Sequence, residues 1–268
     1  MFGNLFGKKG PVLKKMESRH FRQAIEIIAQ TDEDDAAEAE ESLREREGSG
    51  MYVLEENGKV LGLTGALPAD VNGDVAWLSW TYLHEDFHGT GKGRFMVDEM
   101  LGILSGSGVR KIFIATSDYT EDGEEIYAAA HKLYESFGAE VEMRIPHYHD
   151  VDETKIVYGM VNPNSDLPTS EDNSTATGVH FSEILKAPES TGGYALGWEI
   201  SDEGVTGLDE CLKKAREEGA RIVFASLPSD LSILAGEQLK DCGFERCGEL
   251  RDYHNIELAD VWWSLNLQ

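Results

Sequence analysis

The sequence predicts an α/β fold of the α+β kind, a mixed and mostly antiparallel sheet flanked by helices. Residues 75–83 (Val-Ala-Trp-Leu-Ser-Trp-Thr-Tyr-Leu) are rich in aromatic and β-branched side chains, which suits a buried strand. Residues 95–105 then set Phe95, Met96, Met100, Leu101 and Leu104 at helical spacing, so the stretch between is a strand-to-helix turn. Upstream, residues 51–54 and 60–67 flank Glu56-Asn57-Gly58, and an Asn-Gly pair between two apolar runs is a hairpin signal.

The remaining elements follow in order. Residues 12–16 read as a short first strand, and residues 20–30 as an amphipathic helix with Phe21, Ala24, Ile25 and Ile28 on one face. Residues 32–47 read as an Ala- and Glu-rich helix capped by Asp32 and stopped by Gly48-Ser49-Gly50. A second turn is expected at residues 70–74. Residues 108–115 form a buried strand; residues 124–137 form a helix ended by Gly138; residues 141–146 and 155–161 add two strands. Residues 164–177 are Ser, Thr, Asn, Asp and Pro with almost nothing apolar, which marks a linker between a domain at 1–163 and a shorter unit at 178–268.

That shorter unit repeats the second half of the first. Gly108-x-Arg110-x-x-Phe113 returns as Gly219-x-Arg221-x-x-Phe224, and Leu101 stands before Gly108 as Leu212 stands before Gly219. Ala130, Gly138 and Tyr148-His149 return without gaps as Ala235, Gly243 and Tyr253-His254. An ordered set of such matches points to internal duplication.

Charge bounds the partners. The chain of 268 residues carries 50 acidic and 24 basic side chains, a formal charge of −26. That argues against general binding to nucleic acid or to an anionic membrane, and favours a cationic substrate or plain solubility. The three cysteines, Cys211, Cys242 and Cys247, show no zinc spacing and no even-numbered framework, so no metal site and a reduced, cytoplasmic setting are expected. Residues 1–15 are basic without a signal-peptide apolar run, and no stretch approaches the roughly 20 apolar residues of a membrane span.

The chemistry should start at residues 83–94, Leu-His-Glu-Asp-Phe-His-Gly-Thr-Gly-Lys-Gly-Arg. Gly89, Gly91 and Gly93 let the backbone bend and come close to a ligand. The N–H groups of such a turn, with the dipole of the helix behind it, suit a phosphate or pyrophosphate. A Walker A loop would need Ser or Thr after Gly91-Lys92, where Gly93 stands, and the Gly-x-Gly-x-x-Gly dinucleotide fingerprint is broken at Arg94.

Gln/Arg-x-x-Gly-x-Gly/Ala after a strand ending in a Leu/Val-x-Pro-x-aromatic turn does fit. Leu83, Phe87, Gly91 and Gly93 match it, while His88 stands for Gln or Arg and Glu85 for Pro. This resembles motif A of the GCN5-related N-acetyltransferases (the GNAT superfamily). The predicted order of elements through residue 163 is similar to that fold, and residues 178–268 then resemble a second, degenerate unit of it.

The resemblance implies acetyl-CoA as cosubstrate and transfer of its acetyl group to a primary amine, a cationic one included, of a small molecule or protein. It implies that Tyr82, Leu83, His88, Gly89, Thr90, Gly91, Lys92, Gly93, Arg94 and Tyr127 line the coenzyme, with a backbone N–H near Tyr82–Leu83 facing the thioester carbonyl. Ala130-His-Lys-Leu-Tyr134-Glu-Ser-Phe-Gly138 resembles the family's Ala-x-x-Leu-Tyr-x-x-x-Gly-Phe signature, with Ala139 in place of Phe and Tyr127 in place of an Asn. It implies that Tyr134 is the general acid that protonates the leaving thiolate. No base is readable: His84, Glu85 and Asp86 shape the turn, and Tyr148 and His149 are equally explained by the repeat. Leu239 occupies the position of Tyr134 in the second unit, and residues 201–207 lack Gly-x-Gly. A monomer or homodimer is expected. A non-catalytic acyl-CoA sensor, a longer acyl donor and an oxygen nucleophile stay open as alternatives.

Overall fold

The computed structural model describes residues 10–69, 73–162 and 177–268. Most of the expected linker and of the turn at 70–74 lies outside them. Packing divides the chain into two compact units, Met1–Ile114 with Val161–Asp166, and Ala115–Met160 with Leu167–Gln268. Packing therefore groups residues differently from the order of the chain, since the division runs through two strands.

The first unit begins with β1 (Val12–Lys15), α1 (Phe21–Ile28) and α2 (Glu33–Glu45). The Asp32 side chain caps α2 by accepting from the amides of Asp34 and Asp35 at 2.9 and 3.1 Å. Strands β2 (Met51–Glu56), β3 (Lys59–Pro68) and β4 (Val75–Leu83) follow in an antiparallel meander with β1. The β2–β3 turn is two residues long, with Asn57 and Gly58 at φ +54° and +82°. Both values belong to the hairpin turn that matches strand twist, which is why Asn-Gly marks it. Helix α3 (Lys92–Gly106) leads to β5 (Lys111–Ser117), which pairs parallel with β4. Neighbouring strand residues face opposite sides of the sheet. Val53 and Leu63 therefore pack with α1 and α2, while Leu54 and Leu61 pack with Met96 of α3.

The second unit takes the last residues of β5, a small hairpin of β6 (Thr120–Glu121) and β7 (Glu124–Glu125), α4 (Ala128–Glu135), β8 (Glu140–Ile145) and β9 (Lys155–Val161) up to Met160. The helix expected from residue 124 starts at Ala128. Asp122 and Gly123 at φ +52° and +85° turn the chain back on itself, so Glu124 and Glu125 pair with Thr120 and Glu121 instead of entering the helix. After the undescribed stretch come β10 (Gly178–Lys186), β11 (Gly193–Ser201), β12 (Val205–Thr206), α5 (Leu208–Glu217), β13 (Ile222–Pro228), α6 (Ser229–Asp241), β14 (Glu245–Asn255) and β15 (Leu258–Asn266).

The run β10-β11-α5-β13-α6-β14-β15 repeats the order β3-β4-α3-β5-α4-β8-β9. Single backbone bonds repeat as well. The Arg110 amide donates to Asp74 O at 2.7 Å and the Arg221 amide to Gly192 O at 2.8 Å. Asn162 and Leu267 each return an amide to the carbonyl of that arginine, at 2.8 Å in both cases. Residues 110 and 221 thus occupy equivalent backbone positions, as the sequence repeat anticipates.

Their side chains have diverged. Arg110 is buried against Asp74 at 2.6 Å. Buried Arg221 donates instead to three carbonyls of the second unit, Thr191 O at 2.8 Å, His147 O at 2.7 Å and Tyr148 O at 3.2 Å. It ties the turn after β8 to the turn before β11, and β8 pairs with β14 through Met143 and Gly248. Arg221→Met would keep the apolar stem and leave those carbonyls short of donors. A loss of about 2–4 kcal/mol is expected, read as a lower urea midpoint for the second unit.

In the first unit His20 is 2% exposed. Its Nδ1 accepts from the Glu17 amide at 2.9 Å, and its Nε2 has no hydrogen-bond partner among the described residues. Burial pushes its pKa below the ordinary value, helped by Arg19 and Lys14. The folded state thus prefers the neutral ring. As pH falls through about 6.5 the unfolded chain gains a proton that the folded chain resists, and stability drops. The urea midpoint should fall between about pH 7.5 and 5.5, and His20→Phe should remove part of that slope.

Candidate active site

The strand that enters the glycine turn changes character halfway. The parallel ladder with β5 covers Val75–Leu78 against Lys111–Ile114, and β4 runs on to Leu83. On its other edge, Leu63 pairs with Tyr82 and Gly65 with Ser79, so Thr64 faces both Trp80 and Thr81. This is a β-bulge in β4, with Trp80 at φ +40°. The Thr64 and Thr81 hydroxyls hydrogen-bond across it at 2.9 Å. No residue in the sequence announces the bulge; a tryptophan at positive φ is found only by looking.

After Leu83 the chain tightens. The amides of Phe87, His88 and Thr90 donate to His84 O, Glu85 O and Phe87 O at 2.9, 3.0 and 3.3 Å. Two side chains brace the turn. His88 Nε2 lies 2.8 Å from Leu83 O, so that nitrogen carries the proton, and the Thr90 hydroxyl donates to Phe87 O at 2.6 Å. Gly89 and Gly91 have φ of +68° and +81°, and Gly91 is the N-cap of α3. The first bond of the helix ladder is Phe95 N–H to Gly91 O at 3.0 Å. The amides of Lys92, Gly93 and Arg94 therefore precede the ladder, at the positive end of the helix.

The space beside this turn is open. A Cβ built on Gly89 or on Gly91 meets nothing within 4 Å. Phe87 lies under two ammonium groups, Lys92 at 5.2 Å and Lys59 at 5.4 Å from the ring centroid. A closely approachable backbone, amides at a helix start and two lysines fit a phosphorylated ligand.

Tyr82, Leu83, His88, Gly89, Thr90, Gly91, Lys92, Gly93 and Arg94 thus lie on one continuous segment of the first unit. The Tyr82 side chain donates its hydroxyl to Asp35 of α2, a partner that sequence spacing did not suggest. Tyr127 and Tyr134 belong to the second unit. Tyr127 is the N-cap of α4, and Tyr134 is buried on the same helix, its ring 6.2 Å from that of Tyr158. One turn earlier, His131 is held between Glu125 at 2.9 Å and the Thr116 hydroxyl at 3.1 Å. Tyr148 and His149 are occupied by the C-terminal half of their unit: Tyr148 OH donates to Pro188 O at 3.2 Å, and His149 Nδ1 lies 2.8 Å from Glu189 O. Among the described residues no cluster of three or more His, Cys, Asp or Glu is arranged to hold a metal, and no helix is long and apolar enough to cross a membrane.

The repeated unit keeps the turn geometry and loses the space. Gly207 caps α5 at φ +80°, matching Gly91, yet a Cβ there would lie 2.0 Å from Phe181 O. Strand β12 pairs with Val179 and His180 of β10 directly before it. Asp209 and Glu210 occupy the first turn of α5, where they oppose an anion. The β11–β13 ladder ends at Ala195 and Phe224, and beyond it the Trp198 indole donates to Ser226 O at 2.7 Å.

The model of the acetyltransferase (GNAT) family matches residues 16–139. Those residues are similar to a GNAT domain. The match spans the bulged strand, the glycine turn and Tyr134. Among solved structures, an aminoglycoside 6′-N-acetyltransferase complexed with coenzyme A aligns over 60% of this chain and 99% of its own, at 12% identity and a TM-score of 0.50. The ribosomal-protein-S18-alanine N-acetyltransferase of Escherichia coli aligns over 61% and 99%, at 20% identity and a TM-score of 0.48. An N-acetyltransferase of Staphylococcus aureus Mu50 aligns over 57% and 99%, at 13% identity and a TM-score of 0.45. No curated protein matches the chain.

Substitution at Gly91 tests the turn as a binding site. Gly91→Asp adds a charge beside the helix amides at a φ that side chains disfavour. Affinity for coenzyme A, measured by calorimetry, should fall at least tenfold, about 1.4 kcal/mol. Unchanged affinity in a folded variant would remove the turn from the binding site.

Proposed function

We propose that the chain is a coenzyme-A-dependent N-acetyltransferase that moves the acetyl group of acetyl-CoA to a primary amine by direct attack. The reading rests chiefly on one observation, the open backbone at Gly91 ahead of α3 inside the family-matched segment. We place the chemistry in the domain at 1–163 and read residues 178–268 as a degenerate unit of the same fold.

In this reading the amides of Gly91, Lys92, Gly93 and Arg94 take the pyrophosphate, with His88 and Thr90 bracing the turn that presents them. Lys59 and Lys92 add positive charge where it is wanted. Beyond Leu78, β4 has left the ladder with β5, and its backbone is offered to the pantetheine arm. An amide near Tyr82–Leu83 polarises the thioester carbonyl, a preorganised donor aimed at developing negative charge. Tyr134, on the family signature, returns a proton to the leaving sulfur. Holding the amine against the thioester supplies much of the rate by proximity. The coenzyme contributes the activated acyl group, and the protein contributes geometry and proton placement.

One coenzyme per chain is expected in spite of the duplication. Phe181 O fills the space against Gly207, and Trp198 bonds across the strands that would have to separate. Calorimetric titration finding two equivalent sites would contradict this reading of residues 178–268.

Tyr134→Phe separates catalysis from packing. It removes one hydroxyl and little volume, so coenzyme affinity and melting temperature should stay near wild type. The acetyl-transfer rate should fall by roughly ten- to a thousandfold, in kcat and not in KM. Near-normal turnover in a well-folded variant would leave Tyr134 as packing and return the leaving-group proton to water.

A further inference from the structure

Helix α4 carries Tyr134, and it is short. Its eight residues, Ala128–Glu135, rise about 12 Å, and the Tyr127 side chain at its N-cap makes no capping bond. A helix of that length has little stability of its own, so contacts outside it fix its rotation.

His131 supplies polar contacts of that kind. It is 9% exposed, and both of its ring nitrogens are engaged. Nδ1 lies 2.9 Å from a Glu125 carboxylate oxygen, and Nε2 lies 3.1 Å from the Thr116 hydroxyl. A carboxylate calls for a donor, so Nδ1 carries the proton, and in the neutral ring Nε2 accepts from Thr116. The ring thus joins α4 to β5 on one side and to the β6–β7 hairpin on the other. In a helix running from residue 124, Glu125 and His131 would stand six residues apart, on faces that do not meet. The turn at Asp122 and Gly123 brings the carboxylate to the ring instead.

Tyr134 follows His131 by three residues and shares its face of the helix. Both rings lie near Tyr158 of β9, at 5.7 and 6.2 Å between centroids, and the Tyr158 hydroxyl donates to Glu135 at 3.2 Å. A shift of His131 therefore carries Tyr134 with it. The Ala-x-x-Leu-Tyr signature leaves position 131 open and gives the histidine no part.

The repeat shows the same helix without the histidine. By the offsets that match Phe113 with Phe224 and Ala130 with Ala235, Thr116 answers to Leu227, His131 to Gly236 and Tyr134 to Leu239. Leu227 and Leu239 are fully buried, and Gly236 faces the Trp263 indole, which a Cβ there would meet at 3.6 Å. Packing α6 on its sheet needs no imidazole at this place. Hydroxyl, imidazole and tyrosine are present together in one copy and absent together in the other.

Resting on the acetyltransferase reading above, we infer that Glu125, His131 and Thr116 form a clamp that sets the rotation of α4 and so the aim of the Tyr134 hydroxyl. His131 is a positioning residue. It exchanges no proton with coenzyme or amine and acts through Tyr134.

The test measures thiol release from acetyl-CoA with hexylamine and with 1,5-diaminopentane. Thr116→Val keeps the shape of the side chain and removes the hydroxyl. It should lower kcat roughly five- to fiftyfold and leave KM for the amine and coenzyme A affinity unchanged, because a misaimed donor fails only in the transition state. Thr116→Ser should recover most of that loss, and Glu125→Gln should show a smaller loss of the same kind. In the Tyr134→Phe background Thr116→Val should cost less than about twofold more, since the group it aims is gone. An equal loss in both backgrounds would overturn the inference, because a packing defect predicts it. Normal kcat in Thr116→Val, or a loss that falls on KM, would overturn it as well. If wild type releases no thiol with either amine while coenzyme A binds it and not Gly91→Asp, the inference fails and coenzyme binding stands. Normal turnover of Tyr134→Phe would instead strike the underlying role of Tyr134, and the inference with it.

Discussion

A strand that passes into a helix within one turn must expose its backbone at the junction, and the rest of the site depends on that constraint. At Gly91 the chain takes φ +81° and starts α3 in the next residue. A side chain there would be strained, and its absence leaves amides in the open instead of under a Cβ. The helix behind them adds its dipole without any charged side chain. The braces at His88 and Thr90 make sense in this light. They bond to Leu83 O and Phe87 O and so hold the turn that leads to the amides ahead of α3.

In the second unit the same turn geometry comes without the open space. Gly207 reproduces the φ of Gly91 to within one degree, +80° against +81°. The difference lies in what surrounds it. Once β12 is added to β10, the N-terminus of α5 is packed against Phe181 O, and the same φ now serves close packing. A glycine with open space beside it and a glycine packed against a carbonyl look identical in sequence, and only the neighbour within 4 Å tells them apart. The two arginines make the same point. Arg110 and Arg221 share a backbone position, yet one neutralises Asp74 and the other binds three carbonyls.

What was legible in the sequence was what depends on local chemistry. Asn57-Gly58 announced its turn because few residue pairs tolerate two positive φ values. Asp32 announced α2 because a short carboxylate can reach the first free amides. The glycine turn, the strand before it and the helix after it were readable for the same reason. Residues 124–127 were misjudged because Asp122-Gly123 forms a two-residue turn whose hairpin competes with helix for the next carboxylates. The bulge at Trp80 and the partnership of Tyr82 with Asp35 were not legible at all. Each depends on register between segments far apart in the chain, and periodicity carries no register. The Trp198–Ser226 bond that closes the strands of the second unit is of the same kind.

Charge raises a last question, since an anionic coenzyme is proposed for a chain of net charge −26. Screening limits the conflict: at physiological ionic strength the Debye length is about 8 Å, so carboxylates on distant faces contribute little at the turn. What counts there is local. The amides ahead of α3 sit with Lys59 and Lys92 over Phe87, Lys92 lying 4.0 Å from Glu56, and α3 has no acidic residue in its first turn, although Glu85 and Asp86 stand earlier in the turn. The second unit has Asp209 and Glu210 in the matching turn. The acidic surface thus weakens encounter with an anion without deciding affinity at the turn, and it selects against polyanions that would have to touch many faces at once. A small ligand that meets a single turn escapes that selection, which reconciles the acidic surface with the phosphorylated coenzyme proposed above.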